Sequence, residues 1–500
     1  MKLKELPVLL IDGQTTGMRP SSGQLIELAW TVTTAQEEAP SIESHFFRLP
    51  KGENLPYRIA ELTGICDADL AAGQDSAHVL AQLQNAAARL PEPKLSVIHY
   101  AQFEKPFLLD LFGDSPLPFA IVCSHALTKK LFPNLPSMNI RGTAGFFGNP
   151  VAHLKRGTEH VRATADIWRG LVHELAQKGI EDWPALQEFL AQKNKTPKGR
   201  YAYRLPSEKR LALPDAPGIY RMIAKNGEVL YVGKATSLKS RVNSYFRGKA
   251  GRDKRKLEMM AQVWDLNVTE CRSALEAALM EADEIKKFNP PYNVVMKKGK
   301  RHLIFYSRDF TKASRTQDAK HPVGPFRNMN WIEHLRILAQ KNFAQVFFEP
   351  IPADQAERAF ELFCQKHKLP TAQTTRQLLA WGLNSFRNYV EESVEETLDE
   401  DDSERPYTDQ EVRAKYERLL RRAGGEHWRA KKMTKLLNSR VTYQHGGQAR
   451  VLDFRNGLTE RLDDNLPKPW HDLGVETFDR MSVLLSELEK YEHHVEWTKG

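Results

Sequence analysis

Two tyrosines, a lysine, an arginine and a glutamate carry side chains that together could hydrolyse a phosphodiester bond. That reaction needs an activated water, positive charge on the phosphoryl oxygens and help for the leaving oxygen. A phenol beside an ammonium can move protons, a guanidinium can bind a phosphate through two hydrogen bonds, and a carboxylate can hold a divalent cation. The side chains in question belong to Tyr220, Tyr231, Lys234, Arg241 and Glu281.

Helical spacing places several of these groups on common faces. Arg241 and Tyr245 are separated by one helical turn in a helix predicted over 236–245, so they project from the same side. Glu281 falls on a mostly apolar face of a second helix, predicted over 273–288. A carboxylate on an inward face is costly unless a metal ion or a positive group meets it.

The two tyrosines lie on the strands of a predicted hairpin. Tyr220 ends the tripeptide Gly-Ile-Tyr within a strand predicted over 218–224, and Tyr231 opens Tyr-Val-Gly-Lys within a strand predicted over 228–233. The dipeptide Asn226-Gly227 between them is a strong signal for a hairpin turn. Both phenols should therefore come from neighbouring strands of one small sheet.

This region resembles the N-terminal nuclease half of the C component of excinuclease ABC, a GIY-YIG endonuclease. The resemblance is carried by the two tyrosine motifs and continues through residues 238–248 and 272–294. A shorter segment, Gly324-Pro325-Phe326, is similar to a stretch further along in that family. The resemblance does not extend to the family's second, RNase H-like nuclease half or to helix-hairpin-helix repeats.

The resemblance implies roles in proton transfer for three residues. Tyr220 or Tyr231 would act as the general base for the attacking water, and the sequence leaves the choice between them open. Lys234 would keep the proton of that tyrosine mobile. A neutral tyrosine is a poor base at pH 7, and a nearby ammonium lowers its pKa.

The resemblance also implies how the cation and the phosphate are held. Glu281 would be the single protein ligand of one Mg2+ or Mn2+ ion, with water in the remaining positions. Arg241 would bind the scissile phosphate, and Tyr245 and Asn293 would support the phosphate and the loops around it.

A second set of acidic residues lies nearer the N-terminus. Residues 10–17, Leu-Ile-Asp-Gly-Gln-Thr-Thr-Gly, resemble the first motif of the proofreading epsilon-subunit exonucleases, whose pattern is Asp-x-Glu-Thr-Thr-Gly. The resemblance continues at residues 25–29, 62–65, 98–104 and 162–166. It implies an RNase H-like fold, which agrees with the predicted strands followed by alternating helices.

The metal-binding residues of that exonuclease family are only partly kept. The family places four carboxylates around two metal ions, with a histidine as general base. Here Gln14 replaces the first-motif glutamate and Glu104 replaces the second-motif aspartate, so that only Asp12 and Asp166 match unchanged. Losing one charge and lengthening another side chain should weaken the binding of two metal ions.

The histidine of the family is also displaced. Val161 occupies its position, and His160 lies next to it. We expect a silenced exonuclease that serves as a binding or positioning module. The alternative is an active but altered nuclease, with His160 moved into place by a bulge. The degenerate exonuclease site comprises Asp12, Gln14, Glu104, His160 and Asp166.

Composition restricts the partners and the compartment. The chain has 72 Lys and Arg against 63 Asp and Glu, a net charge of +9 that is compatible with binding a phosphate backbone. Its 4 cysteines form no Cys-x-x-Cys pair, which argues against structural zinc and a disulfide framework and fits a reducing cytoplasm. No apolar run is long enough to span a membrane.

The C-terminal region carries a second basic stretch over residues 408–440. Basic side chains interspersed with aromatic ones can follow a nucleic-acid backbone and stack on bases. A merely solvated helix face is the alternative. The aromatic residues are Tyr416 and Trp428, and the basic ones include Arg413, Lys415, Arg418, Arg421, Arg422, Arg429, Lys431 and Lys432.

These patterns predict a multidomain chain of mixed α/β and α+β class. Its predicted parts are an RNase H-like exonuclease-type domain at 1–180, a basic linker at 181–212, a GIY-YIG domain at 213–300, and a mixed, mainly helical accessory region at 301–500 with an acidic linker near 391–404.

The expected function is a cytoplasmic, metal-dependent DNA endonuclease that incises one strand in DNA repair. DNA and DNA-repair proteins are the expected partners, with no membrane and no nucleotide cofactor. One alternative is a DNA-binding adaptor that cuts nothing, which would not need the complete set of tyrosines, lysine, arginine and glutamate together. The other is a 3′–5′ exonuclease-led enzyme, against which Gln14 and Val161 argue.

Overall fold

The computed structural model describes most of the chain, and the described residues form two compact units. One unit comprises residues 1–271 and 290–294, and the other comprises residues 272–289 and 295–500. The acidic run at 391–404 lies outside the described residues. The described ranges are 1–50, 52–151, 154–193, 200–247, 253–293, 302–327, 330–347, 351–388, 407–445, 448–458, 468–490 and 495–499.

The first unit alternates strands and helices along most of its length. Its strands are β1 (Val8–Thr15), β2 (Leu25–Thr33), β3 (Glu43–Phe46), β4 (Leu95–Ile98), β5 (Ala120–Cys123), β6 (Gly218–Ile223), β7 (Val229–Ala235) and β8 (Asp265–Glu270). Its helices are α1 (Tyr57–Thr63), α2 (Asp67–Ala71), α3 (Ser76–Ala88), α4 (Ala101–Phe112), α5 (Ser124–Leu131), α6 (Ile140–Phe146), α7 (Gly157–Ala176), α8 (Trp183–Ala191), α9 (Ser207–Leu211), α10 (Leu238–Ser244) and α11 (Lys254–Gln262).

The larger sheet of this unit has β1 at its centre, in the order β3-β2-β1-β4-β5. The pairs β1–β2 and β2–β3 are antiparallel, whereas β1–β4 and β4–β5 are parallel. Parallel neighbours require a crossover, and α4 supplies the one between β4 and β5. This mixed sheet with helical crossovers confirms the predicted RNase H-like fold class.

The unbroken apolar run of β1 is explained by burial on both faces of the sheet. Val8 and Leu10 pack into the core that α7 covers, whereas Leu9 and Ile11 pack into the core that α3 and α4 cover. Successive side chains of a strand point to opposite faces, so a strand covered on both sides must be apolar throughout.

The smaller sheet of the first unit has the order β7-β6-β8, with antiparallel pairing throughout. Gly227 adopts a φ of 86° in the turn between β6 and β7, a conformation that glycine takes without strain. Leu238 and Val242 of α10 pack on this sheet beside Tyr220. The predicted hairpin and the helix after it are confirmed.

The segment 181–212, predicted as a linker, is more structured than a linker. It contains α8 and α9, and the structure describes all of it except residues 194–199. Leu205 is buried in the core of the smaller sheet, and the side chain of Asn243 in α10 donates a 2.8 Å hydrogen bond to the carbonyl of Arg210. The reason for the difference is that apolar residues between the basic ones fill a core. The predicted domain boundaries stay a prediction.

The two sheets of the first unit are joined through α6 and α11. The indole N–H of Trp264, next to β8, donates a 2.9 Å hydrogen bond to the carbonyl of Gly145 in α6. The guanidinium of Arg204 lies 4.0 Å from the centre of the Phe146 ring and 5.2 Å from that of Trp264. Arginine stacked between aromatic rings gives this contact a defined geometry.

The second unit is mainly helical, as predicted for the C-terminal region. Its helices are α12 (Ala274–Phe288), α13 (Trp331–Ala339), α14 (Ala353–Lys366), α15 (Thr375–Asn388), α16 (Asp409–Leu436) and α17 (Trp470–Glu489). Its strands are β9 (Leu303–Tyr306), β10 (Ala313–Ser314), β11 (Val323–Arg327), β12 (Ser439–His445), β13 (Gln448–Asp453) and β14 (Val495–Lys499), which form sheets of order β10-β9-β11 and β13-β12-β14.

Helix α16 is the organising element of the second unit, because α13, α14 and α15 all pack against it. It contacts α15 at the level of the backbone: a Cβ atom on Gly382 would overlap the carbonyl oxygen of Leu420, and one on Gly424 would overlap the backbone of Gly382. Glycine is required at both positions because the two helix backbones touch. No helix among the described residues is both long enough and apolar enough to cross a membrane.

Candidate nuclease sites

Three tyrosines meet on one side of the smaller sheet. The ring centres of Tyr220 and Tyr231 are 6.1 Å apart, those of Tyr220 and Tyr245 are 6.1 Å apart, and those of Tyr231 and Tyr245 are 6.4 Å apart. The hydroxyl groups of Tyr220 and Tyr245 are hydrogen-bonded at 2.9 Å. The structure therefore brings together both tyrosines of the hairpin and the tyrosine of α10.

The glycine of the second tyrosine motif has a steric role. Tyr220 on β6 is paired with Gly233 on β7, and a Cβ atom on Gly233 would overlap the Tyr220 hydroxyl group. Only a residue without a side chain leaves room for the phenol across the strand pair. The spacing of the two motifs therefore follows from the register of one hairpin.

The position of Tyr220 controls its ionisation. The side chain is fully buried, and this burial, followed by the neighbouring Tyr245 and Tyr231, raises its pKa well above that of free tyrosine. The charge of Arg241 acts in the opposite direction but does not compensate. The Tyr220 phenol is therefore held in its neutral form. Tyr231 is only half-buried.

Arg241 lies beside the tyrosine cluster with its charged end accessible. Its guanidinium interacts electrostatically with the Tyr220 phenol and lies 5.6 Å from the centre of the Tyr245 ring. The residue as a whole is exposed. An anchored but accessible guanidinium is suited to bind a phosphate oxygen.

Asn293 supports the strand rather than the open side of the site. Its side-chain oxygen accepts a 3.0 Å hydrogen bond from the N–H of Val232, and its side-chain N–H donates a 2.9 Å bond to the carbonyl of Val232. Asn293 is buried, so both bonds are protected from water. It holds the strand that carries Tyr231 and Lys234, and Lys234 itself is half-buried on β7.

Glu281, the predicted metal ligand, belongs to the second unit. It lies in the middle of α12 and is half-buried, whereas Ala277, Ala278 and Ile285, one turn away on the same helix, are buried. Glu281 therefore borders the buried side of this helix. The convergence of Glu281 with the tyrosine cluster around one cation stays a prediction.

At the exonuclease-like site, both oxygens of Asp12 are bound by side chains of the protein. The side-chain amide of Gln14 donates a 2.7 Å hydrogen bond to one oxygen, and Nδ1 of His160 lies 3.1 Å from the other. Burial lowers the pKa of His160, but the charge of Asp12 and the hydrogen bond outweigh it, so that the pKa is raised. His160 therefore pairs with Asp12 within a regular α7, while Val161 is fully buried in the core.

Glu104 lies next to Asp12 in a buried position. Burial raises its pKa well above the usual range, and the charge of Asp12 raises it further. A hydrogen bond from the N–H of Gly13 opposes this shift only in part. Glu104 therefore favours the protonated, neutral form.

Asp166 is held by an arginine that sequence reasoning missed. Nη1 of Arg169 donates a 3.0 Å hydrogen bond to Asp166, one turn earlier in α7. Burial nevertheless raises the pKa of Asp166. The signal that could have identified Arg169 is its spacing of three residues from Asp166 on a predicted helix. Across the described ranges, no group of three or more His, Cys, Asp or Glu side chains is arranged to hold a metal ion.

Comparison with known proteins identifies the smaller-sheet region. Residues 216–294 match the family model of the UvrC-like GIY-YIG domain. UvrABC system protein C of Psychrobacter cryohalolentis is 37% identical over 139 residues, which are 26% of this chain and 22% of that protein. The chain therefore spans about a fifth of the length of these relatives, and the predicted resemblance to a GIY-YIG nuclease is confirmed.

A second relative extends over most of the chain. It is named "Putative bifunctional exonuclease/endonuclease protein MT2247", from Mycobacterium tuberculosis, and is 26% identical over 343 residues, 66% of this chain and 51% of that protein. The solved GIY-YIG N-terminal endonuclease domain of UvrC from Thermotoga maritima, bound to its catalytic magnesium ion, is 32% identical, with a TM-score of 0.16 over 17% of this chain and 93% of that one. The predicted combination of exonuclease-like and GIY-YIG regions is confirmed.

The raised pKa of Glu104 predicts how substitution affects stability at different pH values. The native state holds the proton where the unfolded carboxyl group has lost it, so this stabilising contribution is present below the unfolded pKa and is lost as pH rises through the folded pKa. We expect Glu104→Gln to melt close to the parent at about pH 4.5 and several degrees above it at about pH 8.

Differential scanning calorimetry of the full chain at both pH values measures this effect. Glu61→Gln, at an exposed carboxylate of the same unit, is the matched control and should not change the melting temperature at either pH. A gain for Glu104→Gln that is the same at both pH values would contradict the assignment of a raised pKa.

Proposed function

We propose that this chain is a metal-dependent DNA endonuclease that makes single-strand incisions by hydrolysing phosphodiester bonds. The proposal rests on the cluster of three tyrosines, Tyr220, Tyr231 and Tyr245, beside the accessible Arg241. This cluster lies in a region that matches a UvrC-like GIY-YIG domain. By analogy with those relatives, we propose a role in DNA repair of the excision-repair kind.

In this proposal Tyr231 is the general base and Tyr220 is its neutral support. The pKa of Tyr220 is raised by burial, and its hydroxyl is hydrogen-bonded to Tyr245, so it does not release a proton readily. Tyr231 lies in the same cluster but is only half-buried, which leaves it better placed to reach a water. By the resemblance to GIY-YIG nucleases, Lys234 would favour the ionised form of that phenol.

The remaining residues would hold the phosphate and the strand. Arg241 would bind the scissile phosphate through its guanidinium, while its contacts with Tyr220 and Tyr245 fix its direction. Asn293 would keep β7 in place through its two hydrogen bonds to Val232.

Glu281 fits the role of ligand to Mg2+ or Mn2+. It is a half-buried carboxylate one turn from the buried residues Ala277, Ala278 and Ile285, and a single carboxylate suits an ion that keeps most of its waters. When bound, the cation would neutralise charge that develops on the phosphoryl and leaving oxygens.

We further propose that the exonuclease-like site does not cut DNA. Asp12 is bound by Gln14 and His160, Asp166 is bound by Arg169, and Glu104 favours its neutral form. Side chains of the protein thus occupy the oxygens that two metal ions would need. This region would bind or position DNA for the GIY-YIG site. The proposed partners are DNA and DNA-repair proteins, in the cytoplasm.

The first test concerns the metal ligand. Glu281→Gln should slow cutting of lesion-bearing, branched or plain duplexes by about two to three orders of magnitude with Mg2+ or Mn2+, because it removes the negative charge that holds the cation. Asp283→Asn removes an exposed carboxylate on the same helix, paired with Arg480, and should cut like the parent. Unchanged cutting by Glu281→Gln would refute the assignment of Glu281 as the metal ligand. If the parent protein binds every duplex and cuts none, the adaptor alternative is favoured.

The second test separates the two tyrosines. Tyr231→Phe should lower kcat by about two to four orders of magnitude, because it removes the proposed base. Tyr220→Phe loses the hydrogen bond to Tyr245 and the interaction of the hydroxyl with Arg241, and it should lower kcat by about tenfold. Single-turnover rates across a pH series give both values. A larger loss for Tyr220→Phe would reverse the assignment.

The third test addresses the exonuclease-like site. We expect no trimming of labelled single-stranded 3′ ends by Glu281→Gln protein, because no intact two-metal site remains in the N-terminal region. The matched variant is Asp166→Ala in the same background. Trimming that survives Glu281→Gln and disappears on Asp166→Ala would show an active exonuclease.

A further inference from the structure

The second unit contains a basic cleft that the proposed nuclease chemistry does not use. The cleft has a volume of about 870 Å³ and lies between α15, α16 and the sheet β10-β9-β11. Among the described residues that line it, cations are numerous and no Asp or Glu is present. The cations are Arg308, Arg376, Arg387, Lys431, Lys432 and Lys435.

Helical periodicity arranges these charges in two rows. On α15, Arg376 and Arg387 are three turns apart and lie on one face. On α16, Lys431 and Lys435 are one turn apart on one face. Lys431, Lys435 and Arg376 are exposed, so their ammonium and guanidinium groups remain hydrated and accessible.

The spacing of the two rows is fixed by the helix crossing. Gly382 and Gly424 bring the backbones of α15 and α16 into direct contact, so the rows cannot slide past each other without breaking that contact. The cleft is therefore a built feature of the fold and not a chance gap between side chains.

The floor of the cleft is apolar and aromatic. Leu379 and Leu383 of α15 line it together with Phe310 and Trp428. The Trp428 ring packs against Phe386 at 5.7 Å between centres, and Nζ of Lys432 lies 4.0 Å from the centre of the same ring. A surface of this composition can contact the flat faces of bases while its rim meets phosphates.

His427 adds a buried polar atom to the wall of the cleft. Its side chain is 7% exposed, and its Nδ1 has no hydrogen-bond partner within the described part of the protein. Burial, and then the charge of Lys431, lowers the pKa of His427 to about 4, so the ring is neutral at physiological pH. A neutral imidazole can donate or accept a hydrogen bond with a base edge.

The structure also corrects which part of the basic stretch 408–440 can reach a ligand. Tyr416 is fully buried, and its hydroxyl donates a 3.0 Å hydrogen bond to the carbonyl of Ala356, so it cannot stack on a base. Arg429 is engaged with Glu489 at 3.3 Å and with Ser486 at 2.8 Å. The basic side chains of this stretch that line the cleft are Lys431, Lys432 and Lys435, on the last two turns of α16.

We propose that this cleft binds a single strand of DNA, with its phosphates along the two basic rows and its bases toward the apolar floor. Positive charge without acidic neighbours favours a polyanion, because binding releases the counterions of the phosphates. A single strand matches the floor better than a duplex does, since the bases of a duplex are stacked and paired away from it. The choice of DNA over RNA rests on the proposed function.

The test is a binding titration of the full chain that contains EDTA, so that cutting does not interfere. The probe is a fluorescein-labelled thymidine oligonucleotide, and fluorescence anisotropy is measured across a series of salt concentrations. The variant Lys431→Gln/Lys435→Gln should bind about tenfold more weakly at about 0.1 M salt, and the slope of log K against log salt should fall by about 1.4, which is about 0.7 for each phosphate that is no longer neutralised.

The matched control is Lys320→Gln/Lys366→Gln, which removes the same charge from exposed positions of the second unit that do not line the cleft. It should bind like the parent. An equal loss in both double variants would show general electrostatic attraction and would overturn the inference. Tighter binding of a duplex, or of a uridine oligoribonucleotide, than of the thymidine strand would overturn the assignment to single-stranded DNA.

The position of the strand is checked by crosslinking. A bromodeoxyuridine oligonucleotide irradiated on the parent should attach to peptides that contain Trp428 or His427, and attachment only to peptides of the first unit would refute the cleft. A parent that binds as expected but cuts nothing contradicts the proposed function alone. A parent that cuts while the cleft variant binds normally contradicts this inference alone.

Discussion

The buried phenol of Tyr220 is the contact on which the nuclease-like site depends. It occupies the space that Gly233 leaves free, touches the ring of Tyr231 and shares a hydrogen bond with Tyr245. Burial keeps this phenol neutral, so it can connect strand and helix without carrying charge. Arg241 is oriented by the same group, and the positive end that a phosphate would meet remains at the surface. One buried tyrosine thus connects the strands and the helix that form the cluster.

In the exonuclease-like region, by contrast, the carboxyl groups are paired with other side chains of the protein. Carboxylates that would each attract a metal ion are instead satisfied by an amide, an imidazole and a guanidinium from the same fold. Each of these carboxyl groups thus has a partner within the fold. The packing of the sheet and α7 depends on core residues such as Trp168 and Leu171 and not on these polar side chains.

In the second unit, the backbones of two helices approach each other closely, and this contact determines where other side chains lie. Two glycines allow α15 and α16 to touch, and this contact fixes the rows of positive charge on either side of an apolar floor. Larger residues there would push the helices apart and change the width of the cleft. The geometry of the charged surface is thus set by residues that carry no charge. In the first unit, Gly233 likewise carries no charge but leaves the space in which the Tyr220 phenol is held.

The sequence by itself determined the elements whose causes are local. The apolar run of β1, the Asn226-Gly227 turn and the helices that carry Arg241 and Glu281 follow from short-range patterns, and motif spacing singled out the tyrosines. Only the tertiary structure decided which charges are neutralised and which remain accessible. Arg169 at Asp166, the pairing of His160 with Asp12 and the burial of Tyr416 are examples, as is the cleft that unites residues 308, 376 and 435. The physical reason is that burial and electrostatic partners depend on packing between distant segments, which short-range periodicity does not encode.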